Sequence, residues 1–202
     1  MFPSPSLPMP TTCLRMARTR AGSTGAWLAL ALACAALVGA PGRTLAEGDP
    51  NTEKADMVCN MAKFVTWPDA MVTQNRGQLV VAVLGEDDLA VALATVLSSR
   101  TVNGKPVFVR FARRVQDVRG SQIVYIAGSE LGHASDVIEA LRGTPTLTLA
   151  DIDGFTSRGG MVNFSGIPPN LRFEICRVRA EHEGLHISSR LLAISHVVVA
   201  LP

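Results

Sequence analysis

Leu79-Val80-Val81-Ala82-Val83-Leu84-Gly85 decides the fold. The residues from Leu79 to Leu84 are all apolar, and a glycine closes the run. The run is short and lacks the alternation of a half-wet strand, so it reads as a strand buried on both faces. Such strands belong to parallel sheets covered by helices. Asp87-Asp88 then offers a helix cap, and Leu89, Val91, Leu93, Ala94 and Val96 carry a helical pattern to about Leu97. Asn103-Gly104 marks a turn, and Val107, Val109 and Phe111 alternate as a second strand. Ile123-Val124-Tyr125-Ile126 makes a third strand. A helix follows over Leu131–Arg142 with Gly143 as its stop, and Thr146-Leu147-Thr148-Leu149 makes a fourth strand.

Working outward, Ala55 to Val65 is helical in pattern, with Val58, Ala62 and Val65 on one face, and Pro68 bars continuation. Residues 47–54 are polar and are predicted to be a flexible N-terminal segment. Past the turn Asp151-Ile152-Asp153-Gly154-Phe155, strands are predicted from Met161 to Phe164 and from Leu171 to Ile175, interrupted by Pro168-Pro169. Their short link predicts an antiparallel hairpin. Leu191, Leu192, Ile194 and Ser195 place a final helix over Ile187–Val198, with an apolar tail to Leu201. The expected fold is an α/β three-layer sandwich over residues 55–202. Its sheet is mostly parallel with helices on both faces, and the antiparallel hairpin lies near the C-terminus.

The first 46 residues differ in kind. Arg15, Arg18 and Arg20 precede an uncharged apolar run from Ala26 to Ala40, and Thr44-Leu45-Ala46 provides a small-x-small cleavage site. Residues 1–46 therefore read as a signal peptide, which predicts a periplasmic protein with no membrane insertion after cleavage. The chain carries 19 basic and 17 acidic side chains, but four arginines and no acids precede residue 47. The remainder, with 15 against 17, is mildly acidic and offers no field for nucleic acid. Cys13 and Cys34 leave with the signal. Cys59 and Cys176 remain, either as a disulfide or as two buried thiols.

Chemistry is sparse. His182-Glu183-Gly184-Leu185-His186 spells the H-E-x-x-H zinc pattern, which needs both histidines on one turn of a continuous helix. A glycine interrupts that turn, no Glu ligand follows, and Leu192 stands where a third histidine belongs. Asp87-Asp88 fits an acidic corner or a helix cap, and Asp151 with Asp153 fits a cation site or an Asx turn. No nucleophile, base and oxyanion donors assemble, so no enzyme and no cofactor is expected. Phe64-Val65-Thr66-Trp67-Pro68 places two aromatics around a helix stop, as core or as a partner anchor. Phe155 with Gly159-Gly160 reads as a close approach of backbone to backbone.

Several of these segments together resemble the YfiR family. Lys63-Phe64-Val65-Thr66-Trp67-Pro68 resembles its K-F-V-x-W-P opening, and Val102-Asn103-Gly104-Lys105-Pro106-Val107 its V-x-G-[KR]-P-[IV] element. Leu147–Asp151, Gly154-Phe155 and Gly159-Gly160-Met161-Val162 resemble a further block. Phe173-Glu174-Ile175 and Gly184–Leu192 resemble its C-terminal F-E-I and G-L-x-I-S-S-x-L-L steps. The resemblance covers nearly all of residues 55–198. It implies a periplasmic, non-enzymatic protein that represses an inner-membrane diguanylate cyclase by binding its periplasmic domain. Such repression lowers cyclic-di-GMP and restrains biofilm formation. It also implies a homodimer. Other members sit with sensor kinases or outer-membrane receptors, which leaves a ligand-binding module serving a sensor kinase or transporter as the alternative. Phe64, Trp67, Pro68, Phe155, Gly159 and Gly160 are the expected partner-binding or scaffold positions. Ser121 and Cys176 depart from the family pattern, so redox sensing through disulfides is not carried over.

Overall fold

The buried run at Leu79–Leu84 is strand β2, and it sits near the middle of an eight-stranded sheet. The chain divides into residues 1–46 and residues 47–202, and this computed structural model describes residues 49–198. The predicted signal peptide and the end of the apolar tail lie outside the described residues. Among the described residues no helix is long and apolar enough to cross a membrane.

In chain order the elements are α1 (Pro50–Ala62), β1 (Val65–Thr66), α2 (Asp69–Gln74), β2, α3 (Asp88–Leu97), β3 (Thr101–Val102), β4 (Lys105–Ala112) and β5 (Ile123–Ile126). They continue with α4 (Ala134–Ala140), β6 (Leu147–Ala150), β7 (Val162–Ser165), β8 (Arg172–Cys176), α5 (Arg177–His182), β9 (His186–Ile187), α6 (Ser189–Leu192) and β10 (His196–Val198). The large sheet has the order β10-β8-β7-β6-β5-β2-β4-β3. Strands β4, β2, β5, β6 and β7 run parallel. Strand β8 returns antiparallel beside β7, as the predicted hairpin, and β10 lies parallel to β8.

Alternation of side chains across the sheet divides the core in two. Val81, Val83, Ile123 and Tyr125 point to one face and pack under α1, α3 and the C-terminal elements. Ala82, Leu84, Val124 and Ile126 point to the other, under α4 and Phe155. The mostly parallel sandwich with helices on both faces is therefore the observed architecture.

Four expectations change at the level of elements. Helix α1 begins at Pro50, so residues 50–54, expected to be loose, are helical. The Asp49 side chain accepts from Asn51 N and Thr52 N, and Pro50 supplies a fixed φ at the first helical position. Helix α2 was not anticipated. The preceding helix stops at Ala62, short of the expected Val65, which lies in β1, and Pro68 is the N-cap residue of α2. The predicted helix Leu131–Arg142 is a 3₁₀ turn, Gly128–His133, followed by the shorter α4. The predicted final helix is broken into β9, one turn of α6 and β10. Its amphipathic period is real, but His186-Ile187 pair with β1 and residues 196–198 pair with β8, and those long-range bonds override the local preference.

Candidate interaction surface

Helix α1 stops at Ala62, and the next two residues swing the chain into β1. Phe64 N donates to Met61 O at 2.9 Å, and Phe64 O accepts from Ser188 N at 2.9 Å. Strand β1 then pairs antiparallel with β9, Val65 opposite Ile187 and Thr66 opposite His186. Phe64 is thus held between the first helix and the last segment of the domain. Its half-buried ring lies beside Met57, Met61, Phe173, Leu191 and Ile194 along a groove of about 370 Å³. Ile194 is 72% exposed at its edge. Glu53 and Asp56 form an acidic rim. Asp56 meets Arg100 at 2.7 Å, whereas Glu53 has no ion pair among the described residues. An apolar side chain with a basic neighbour fits such a groove.

Trp67 is placed differently. Its ring is half-buried against the core, and its indole Nε1 donates to Gln122 O at 3.0 Å. Gln122 itself is buried and joins three elements. Its Oε1 accepts from Val80 N and Asn75 Nδ2, both at 2.7 Å, and its Nε2 donates to Gln78 O at 2.9 Å. Sequence reasoning missed Gln122. The only available signal was a polar residue immediately ahead of a fully apolar strand. Pro68 is exposed next to Trp67.

Phe155 has no exposed surface and sits in the second core. A Cβ on Gly160 would stand 2.2 Å from the Phe155 ring, so only glycine lets that ring close over the backbone. Gly159 has φ 95° and ends the 3₁₀ turn that carries Phe155 toward β7. Phe155, Gly159 and Gly160 are all buried. Cys59 is a buried free thiol on α1, and Cys176 is buried at the end of β8.

The polar motifs resolve into structure. Asp87 caps α3 by accepting from Ala90 N at 2.7 Å, and its other oxygen accepts from Tyr125 Oη at 2.8 Å and Gly128 N at 3.0 Å. Burial, and then the Asp87 carboxylate beside it, push the Tyr125 phenol above its ordinary range. Asp151 pairs with the buried Lys54 of α1. The H-E-x-x-H geometry does not form. His182 ends α5, Gly184 turns the chain at φ 80°, and His186 lies on β9. Glu183 is buried, faces Arg179 at 3.1 Å and accepts from Gly143 N.

A family model described as YfiR/HmsC-like matches residues 52–196. No curated protein matches the sequence. The crystal structure of a conserved domain protein from Vibrio cholerae O1 biovar El Tor strain N16961 is similar, with a TM-score of 0.50 at 13% identity. The likeness covers 73% of this chain and 60% of that one, and at this identity it speaks to the fold alone.

Proposed function

The chain belongs to the YfiR/HmsC-like family, and on that premise we propose that it is a periplasmic, non-enzymatic signalling protein. It represses an inner-membrane diguanylate cyclase by binding the periplasmic domain of that enzyme, and so lowers cyclic-di-GMP signalling. Binding one conformation of the sensor better than the other shifts its population, and no catalytic group is required for that. The observation that carries the contact is the groove beside Phe64. It combines an exposed Ile194, two methionines that adapt to an incoming side chain, and an acidic rim. The signal peptide, homodimer and restraint of biofilm belong to the same proposal.

The test is calorimetry of the purified protein against the periplasmic domain of the membrane cyclase encoded nearest to it. Expected is a micromolar or tighter Kd, about −8 kcal/mol or better. Ile194→Glu, at an exposed position, weakens binding at least about tenfold by placing a charge in the groove, with unchanged melting temperature. Wild-type affinity in that variant sinks the groove as the contact. Absence of any binding by the wild-type protein moves the reading to a ligand-binding module for a sensor kinase or transporter. A wide cleft beyond the end of β2, lined by Glu86, Val91, Phe111 and Glu130, is the feature that favours this second reading.

A further inference from the structure

A second feature lies where the parallel strands end. Strand β2 comes first in the parallel run, β4 joins one side of it, and β5 joins the other. The chain leaves β2 toward β4 and leaves β5 toward β6, so the connections change direction at β2 and β5, the place where open α/β sheets hold their ligands. Here the loops leaving β2 and β5 are stitched together. Glu86 N donates to Ser129 Oγ at 3.0 Å, and Gly128 N donates to Asp87 Oδ2 at 3.0 Å. Gly85 permits this closeness, since a Cβ there would stand 2.6 Å from both Ser129 Oγ and Glu130 Cγ. The result is a preformed cleft of about 740 Å³, within the size range of small-molecule sites.

Its two walls differ in chemistry. One is apolar and wet. Phe111 of β4 is 60% exposed and Val91 of α3 is 63% exposed, with Ala90 and Ala112 between them. The other carries Glu86 and Glu130, with Arg113 at the rim. The Glu86 carboxylate has no hydrogen bond or ion pair among the described residues. Among the described residues the Glu130 carboxylate meets only His133, at 3.4 Å. Nucleotide-binding folds place free helix amides at this spot to hold phosphate. In this chain Asp87 already occupies the amide of Ala90, and Glu86, Asp87 and Asp88 surround the helix start with negative charge. Those carboxylates outweigh the positive helix end, so a phosphate would be repelled and a cation is attracted.

We propose that this cleft binds a small organic cation: an amine whose flat apolar body lies on Phe111 and Val91 and whose ammonium faces Glu86 and Glu130. The inference stands apart from the choice of membrane partner, because the cleft and the groove beside Phe64 share no lining residue.

The test uses 2-phenylethylamine as the probe and 3-phenylpropionate as its anionic counterpart, titrated into the ¹⁵N-labelled protein. The expected result is saturable amide shifts at Gly85, Glu86, Phe111 and Ser129 with the amine, and none with the acid. Glu86→Gln weakens the amine about threefold, the size of one exposed ion pair. Phe111→Ala weakens it about tenfold through the lost aromatic face. Both positions are exposed, so both variants keep the wild-type melting temperature. Equal shifts from acid and amine overturn the charge assignment. Amine shifts confined to the groove beside Phe64, or none at all, overturn the site. Partner binding measured separately through Ile194→Glu is untouched by either result.

Discussion

Tyr125 is the single tyrosine of the chain, and it has no exposed surface. Its phenol is held in the neutral form by burial and by donation to Asp87. Its folded pKa is raised above the unfolded value of about 10. The stabilisation is therefore complete below that pH and is lost as pH rises beyond it. Absorbance at 295 nm should stay flat past the ordinary tyrosine range and then rise together with loss of circular dichroism. A tyrosinate signal near pH 10 in a folded protein would contradict the burial. Trp67 carries the second expectation at this scale. Trp67→Ala removes a half-buried ring and its bond to Gln122 O, costing about 2–3 kcal/mol in urea unfolding. A melting temperature unchanged by that substitution, with partner binding lost, would instead make Trp67 a contact.

At the scale of elements, Asp87 couples three of them. It caps α3, receives the hydroxyl of β5 and ties down the loop after β5. Asp87→Ala removes the cap and strands a buried hydroxyl, with an expected cost of about 2–4 kcal/mol. Asp87→Asn keeps one acceptor for the helix but turns its amide N–H toward Gly128 N and Tyr125 Oη, so it should recover only the capping share of that loss. Equal destabilisation by both would show that the bonds of the second oxygen, rather than the cap, carry the cost. The 3₁₀ turn that carries Phe155 works by the same logic. Gly160 serves as space, because its missing side chain leaves room for the Phe155 ring, and Gly159 serves as conformation, because it ends the turn at φ 95°.

For the whole molecule, the sheet order sets a gradient of stability. Strands β2 and β5 lie at its centre with every residue buried. Strand β3 is two residues long at one edge, and β10 is three residues long at the other. Native-state hydrogen exchange should therefore be slowest in β2 and β5, near the global unfolding free energy, and fastest in β3 and β10. Comparable protection of β10 and β2 would show that something outside the described residues covers that edge. The two proposed binding features, the groove beside Phe64 and the cleft beyond β2, rest on different elements of this frame. A partner and a small ligand can therefore be tested one at a time.

The parallel core was legible from the residues alone, because its information is local. The apolar run Leu79–Leu84 is too short for a helix of its own and is closed by Gly85, which marks a buried strand, and the helical period after Asp87 and the break at Pro168-Pro169 place further elements by equally short-range chemistry. Gly159-Gly160 suggests backbone against backbone from the sequence, whereas the structure sets the Phe155 ring against Gly160. Tertiary structure alone decided the rest. The pairing of β1 with β9, the conversion of an amphipathic tail into β10 and the three-way bonding of Gln122 join residues from distant parts of the chain. The groove beside Phe64 exists only because α1 and α6 meet there. Their stabilisation comes from backbone bonds and burial that form only once the sheet has brought the two ends of the domain together, and no window of sequence contains that energy.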